Sequence, residues 1–147
     1  QGAASDPFLQ RYAWYIRRPL DIEAMRLAAA QLVGEHDFSS FRAAGGAPMS
    51  PIRRMYGATV TACGDTIQFC FCANGFLYHM VRNLVGTLVD VGLGNKTPAA
   101  FSEILAGRNR DLASATAPAR GLCLERVCYP ASFGLDAHHR PLAVSDD

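Results

Sequence analysis

Residues 75 to 94 hold two parallel rows of apolar side chains. One runs through Phe76, Met80, Leu84 and Leu88, the other through Leu77, Val81, Val85 and Val89. Adjacent rows at i, i+4 make an apolar face wider than a surface helix needs. The spacing predicts a largely buried central helix that starts near Phe76 and ends around Gly92-Leu93-Gly94. Arg82 falls on the remaining stripe, with His79 one turn before it and Gly86 one turn after it. On so covered a helix the guanidinium enters a cleft rather than open water. Removing it from water is costly unless an anion meets it closely, so the pattern predicts a carboxylate or phosphate at Arg82. Two plainer readings stand beside this one: a structural salt bridge, and an arginine that snorkels along the helix to solvent. Asp90, two turns further on the same stripe, is a candidate structural partner.

The flanking segments constrain the fold class. Residues 1–18, with Phe8, Tyr12, Trp14 and Tyr15, read as an extended leading segment. Asp21 is placed to cap a helix through Ile22, Met25, Ala29, Leu32 and Val33, which Gly34 stops. Residues 36–42 have neither a helix nor a strand period and read as a short ordered loop, pinned by Phe38 and Phe41. Residues 52–63 and 66–73 read as a hairpin. Gly64-Asp65 suits a two-residue type II′ turn. Ile67, Phe69, Phe71 and Ala73 share one face of the second strand; Gln68, Cys70, Cys72 and Asn74 share the other. Thr97-Pro98 opens a further helix through Phe101, Ile104 and Leu105 to Gly107. Residues 108–120 read as a polar connection, 122–129 as a last strand ended by Pro130, and 131–147 as a tail. The order helix, strand, strand, helix, helix, strand implies an α+β domain with an antiparallel sheet and helices packed on one face.

Composition sets the outer bounds. A chain of 147 residues suits one domain or half of a larger one, and no apolar run is long enough to span a bilayer. No charged-then-apolar leader is visible, and the start at Gln1 rather than Met suggests a fragment, a processed product or a piece of a longer gene. The net charge of +1 does not announce a nucleic-acid binder. Lys96 is the only lysine, and arginine suits bidentate phosphate contacts; a genome rich in arginine codons explains the bias equally well. The five cysteines include no C-x-x-C pair and read as small hydrophobes of a reduced, cytosolic protein. Neither their spacing nor a paired His supports a zinc site.

Local chemistry is sparse. There is no glycine-rich phosphate loop and no G-x-S-x-G. Asp37 sits between His36 and Phe38, near Arg42, and reads as a local hydrogen-bonding residue more readily than as an acid catalyst. The pairs Arg17-Arg18 and Arg53-Arg54 are candidates to track phosphates, with solvated charge the better reading of the first.

A family resemblance goes further. Residues 75–86, GFLYHMVRNLVG, resemble the F-x-x-x-M-V-R-N-(I/L)-V-G signature of the TruA family of tRNA pseudouridine synthases. In the same order, residues 32–43 are similar to its L-x-G-x-H-D-F-x-S-F-R-A segment, and Ser50-Pro51-Ile52-Arg53-Arg54 to its T/S-P-x-R-x lead-in to a strand. Residues 117–130, with Gly121-Leu122 and Tyr129-Pro130, resemble its closing A-x-A-x-G-L-x-L…Y-P. Several long motifs in register are far more specific than one.

The resemblance implies an α/β plait of ferredoxin type spanning residues 19–130, the C-terminal half of a two-part synthase. The family's nucleophilic aspartate lies in an R-T-D-x-G-V motif of the preceding half, and no such motif occurs here. By resemblance, Arg82 pairs with that aspartate and Leu122 packs on the target base. Arg42, Arg53, Arg54 and His79 become RNA contacts. The expected activity is isomerisation of uridine to pseudouridine in the tRNA anticodon stem-loop, by a cytoplasmic homodimer without metal or organic cofactor. This chain alone is expected to be inactive. The alternative is a non-catalytic RNA-binding or dimerisation plait.

Overall fold

The structure is a computed structural model, and it describes residues 11–129. Three helices and a three-stranded antiparallel sheet surround one core. The helices are α1 (Ile22–Ala30), α2 (Met80–Gly92) and α3 (Pro98–Gly107). The strands are β1 (Gly34–Asp37), β2 (Ile52–Cys63) and β3 (Thr66–Ala73), in the order β1-β2-β3. Short 3-10 turns cover Ser39–Phe41 and Arg110–Leu112.

The hairpin forms as its pattern predicts. Ile67, Phe69, Phe71 and Ala73 pack against the core while Gln68, Cys70, Cys72 and Asn74 stay exposed. Gly64 takes φ +57, and Asp65 is not among the positive-φ residues, the combination that a type II′ turn requires. A register shift between Met55 and Gly57 returns Met55 to the core. Both caps expected of α1 and α3 are present: Asp21 accepts from the Ala24 N–H at 2.9 Å and Thr97 from the Ala100 N–H at 3.1 Å. Phe101, Ile104 and Leu105 of α3 are buried.

Four expectations need correction. First, α2 begins at Met80, not near Phe76: residues 75–79 are irregular, His79 is left-handed at φ 56, and Phe76 is exposed. Met80, Leu84 and Leu88 are fully buried, so the apolar row is real but one turn shorter. Second, α1 ends at Ala30, with Gln31 as C-cap, before Val33 and Gly34. Third, residues 34–37 are a strand. GEHD has no apolar alternation; it becomes a strand because its backbone pairs with β2, His36 opposite Arg53 and Asp37 opposite Ile52. Fourth, 122–129 forms no strand. It has strand-like composition but pairs with none of the described strands, and all eight residues are exposed. A strand exists only through its ladder, so the third strand of the sheet is β1 instead.

The five cysteines are free and exposed rather than packed in the core. Of the leading segment, residues 11–18 form no helix or strand; the rest of it, and the tail at 131–147, lie outside the described residues. Among the described residues no helix is long and apolar enough to cross a membrane.

Candidate functional site

The N-terminal end of α2 meets two irregular segments, and the three together build a site around Arg82. The first segment is the loop after β1. Its Phe41 carbonyl accepts from Asn83 Nδ2 at 2.7 Å, and the Ala43 N–H donates to the Tyr78 carbonyl at 3.0 Å. The second is a strap, residues 113–117, laid along α2. The Ala117 N–H donates to the Arg82 carbonyl at 3.1 Å, and the Ser114 N–H to Thr87 Oγ1 at 3.2 Å. Gly86 permits this close passage: a methyl group there would collide with the Ala115 carbonyl oxygen.

Arg82 is half-buried within this frame. Its Nε donates to the Ala117 carbonyl at 2.8 Å, and its Nη1 lies 3.1 Å from His79 Nε2. Because arginine only donates, His79 Nε2 is the accepting atom of this contact. The left-handed backbone of His79 and the stacking of its ring on Tyr78, centroids 4.0 Å apart, hold it there. Two of Arg82's five N–H donors are thus engaged, leaving three. Among the described residues no carboxylate lies within ion-pairing distance of Arg82. Asp90 is not its partner: Asp90 accepts from Asn95 Nδ2 at 3.1 Å at the far end of α2. Arg82 therefore makes no structural salt bridge among these residues. It is a positively charged group fixed from two sides with one edge unspent.

The structure brings some sequence-derived candidates beside Arg82 and leaves others apart. His79 touches it directly. Arg42 stands between Phe41 and Ala43, both bonded to the α2 region. Its own guanidinium closes the 45–49 loop, with Nη1 to the Met49 carbonyl and Nη2 to the Ala47 carbonyl, each at 3.2 Å. Arg53 donates through Nη1 to the Ser50 carbonyl at 2.9 Å and the Ile52 carbonyl at 2.6 Å, and its Nε lies over Gly75. Arg54 is exposed, and its backbone is tied to Asn74 and stands opposite Glu35 of β1. Leu122 is 53% exposed, beyond a turn closed by its N–H on the Ala119 carbonyl. Arg18 caps the other end of α2 through the Leu93 carbonyl at 3.2 Å.

Asp37 is a local hydrogen-bonding residue. Burial pushes its carboxyl up, but the Ser39 hydroxyl at 2.6 Å, the Ser39 N–H at 2.9 Å and the Arg108 guanidinium at 3.5 Å prevail and hold it below its ordinary value. Among the described residues no three His, Cys, Asp or Glu side chains converge as metal ligands would.

Two contributors escape a reading by pattern. Asn83 is fully buried, and its Oδ1 accepts from Thr116 Oγ1 at 2.6 Å and from Arg110 Nη2 at 3.1 Å. Arg110 lies in the stretch that reads only as a polar connection. The signal for Asn83 is a polar residue inside an apolar helix face; for Arg110 there is none.

Comparison with known proteins adds an independent line. The family model described as tRNA pseudouridine synthase matches residues 28–130. The chain is 53% identical over 124 residues to a protein of Moorella thermoacetica named tRNA pseudouridine synthase A, covering 84% of this chain and 50% of the relative. Proteins of the same name from Burkholderia cenocepacia and Brevibacillus brevis are each 49% identical, over 129 and 125 residues. They cover 88% and 85% of this chain and 48% and 51% of the relative. The chain thus spans about half the length of these curated relatives.

Proposed function

The chain belongs to the TruA family of tRNA pseudouridine synthases, and on that premise we propose that it is the C-terminal half of such an enzyme. In this reading residues 19–130 form a ferredoxin-like plait that completes a cleft with an N-terminal half. The complete protein isomerises uridine to pseudouridine in the anticodon stem-loop of tRNA and works as a cytoplasmic homodimer without a cofactor.

The observation that carries the reading is Arg82: a half-buried guanidinium, fixed at Nε and Nη1, with three donors left for an anion. The other half supplies that anion as the carboxylate of its nucleophilic aspartate. The ion pair keeps the aspartate charged, because a nearby cation favours the carboxylate. The His79 and Ala117 contacts fix the direction in which it is held. The target uridine has to leave its stack before its glycosidic bond can be broken and remade to carbon, and Leu122, exposed on the strap side, packs on the extruded base. Arg42, Arg53 and Arg54, beside the loop after β1, contact the RNA backbone, with His79 at the mouth of the site; such RNA is recognised largely by shape and phosphates. The exposed apolar side chains of 122–129, Leu122, Leu124, Val127 and Tyr129, suit a segment covered by a further part of the enzyme.

The test is tritium release from C5 of uridine in labelled, unmodified tRNA, run with this chain and with the full-length protein that carries it. Release by the full-length protein alone supports the reading. Release by this chain means that one of its own aspartates is the nucleophile. Binding of tRNA without release by either protein favours the non-catalytic RNA-binding plait.

A further inference from the structure

Arg110 holds both partners of the Arg82 site at once. Its Nη1 donates to the Ser114 carbonyl at 3.1 Å and, more weakly, to the Ala113 carbonyl at 3.4 Å, both on the strap. Its Nη2 donates to Thr116 Oγ1 at 3.1 Å, also on the strap, and to Asn83 Oδ1 at 3.1 Å, on α2. The Thr116 hydroxyl in turn donates to Asn83 Oδ1, so strap, arginine and helix form one closed network. Next to Thr116 stands Ala117, whose carbonyl receives Arg82 Nε, and next to Asn83 stands Arg82 itself. The two residues that Arg110 clamps together are the immediate neighbours of the two residues that meet at the guanidinium.

We propose that Arg110 is a positioning residue for Arg82, acting through the strap and Asn83 and not through RNA. The proposal rests on the reading of Arg82 given above. A planar guanidinium suits the task because one amino group reaches the Ser114 carbonyl while the other reaches Thr116 and Asn83; a lysine ammonium is a single point and can fill only one of these two places. Most of the donors on Arg110's end groups are spent within the protein, which leaves little for a phosphate. Without Arg110 the strap keeps its main-chain bonds at Thr87 and Arg82 and the one Thr116–Asn83 bond, and the Ala117 carbonyl is held less firmly. Misplacing a reacting or guiding group by about 1 Å can cost about a hundredfold in rate.

The experiment uses the full-length protein with Arg110→Ala, Arg110→Lys and Thr116→Val, each checked for cooperative melting. Single-turnover pseudouridine formation should fall about 10- to 100-fold in both Arg110 variants while the tRNA dissociation constant stays within about twofold. Thr116→Val should give a smaller loss in the same direction. A second readout is the Nε–H resonance of Arg82 in 15N-labelled protein, assigned by its disappearance in Arg82→Lys. It should move and exchange faster in Arg110→Lys although the fold persists. Folded variants that keep full rate and an unchanged Arg82 signal overturn the proposal. So does a loss in tRNA affinity with the rate intact, which makes Arg110 an RNA contact. If Arg110→Ala does not fold, Arg110→Lys and Thr116→Val decide; failure of all three to fold overturns it in favour of a purely structural role. A fully active Arg82→Ala protein sinks the reading of Arg82 itself, whereas inactive Arg82→Ala beside fully active Arg110 variants sinks only this inference.

Discussion

The β2–β3 hairpin is regular strand and the 113–117 strap is irregular, and the two are held in opposite ways. The hairpin is a main-chain ladder from Met55 opposite Ala73 to Cys63 opposite Thr66, with a turn residue at its tip and one apolar face on the core. No single side chain carries it. The strap has no ladder. It is tied to α2 at Arg82, Asn83 and Thr87, to Arg110, and by the bare surface of Gly86. A ladder spreads its stability over many bonds, whereas a strap concentrates it in a few named groups. Single substitutions should therefore hurt the strap more than the hairpin.

The sharpest way to break the comparison is Gly86→Ala. Its new methyl group meets backbone, the Ala115 carbonyl, which cannot swing aside as a side chain would. The strap must lift, and the cost should reach about 3 kcal/mol, the upper end for overpacking. Thermal melting of this chain reads it directly. A variant as stable as the parent would mean that the strap is not seated on the helix.

Asn83→Ala comes next. It strands the Phe41 carbonyl and removes the buried acceptor shared by the Thr116 hydroxyl and Arg110, which then keep only their bond to each other at that point. Loss of about 2 kcal/mol is expected, in the range for buried groups left unsatisfied. Asn83→Asp keeps the acceptor Oδ1 but puts a second acceptor oxygen in place of the donor to Phe41, so it should cost less on the strap side than on the loop side. Amide exchange, rising at Ala43 more than at Ser114, checks that split.

On the hairpin, Gly64→Ala places a side chain at φ +57 with nothing in contact around it. The expected cost is only about 1 kcal/mol, the price of a left-handed backbone. A loss as large as that of Gly86→Ala would erase the contrast between ladder and strap.

The same contrast explains how far the amino-acid sequence could be read. Periodic elements declare themselves: Phe69 and Phe71 alternate with Cys70 and Cys72, and Met80, Leu84 and Leu88 recur at one helical turn. The caps at Asp21 and Thr97 do too, because capping is local. What stayed hidden depends on partners distant in the chain. GEHD is a strand only through β2, and residues 122–129 join no ladder with the described strands despite strand-like side chains. His79 ends the reach of α2 by turning left-handed, which no period registers. In the site, Arg82 was legible because a charge stands out on an apolar face. Arg110 was not, because an arginine in a polar stretch looks solvated until its four acceptors are in place.

Asp37 gives the smallest effect and tests the idea at the foot of β1, where a loop is again fixed by one side chain. Its carboxylate holds the Ser39 N–H and hydroxyl at the start of the Ser39–Phe41 turn, with Arg108 nearby. Since its folded-state value lies below the ordinary one, the stabilisation is complete above the unfolded-chain value of about 3.9 and fades as pH falls through the folded value. Stability of wild type relative to Asp37→Asn should thus be flat from neutral pH to about 5 and decline below about 4. Arg108 is 70% exposed, so its share should weaken with added salt while the share from Ser39 does not. The total is expected to stay under about 1 kcal/mol. Chemical denaturation of both proteins across that pH range, at low and high salt, separates the two shares. A difference that does not change with pH would mean that the turn is held by its backbone alone, as the hairpin is.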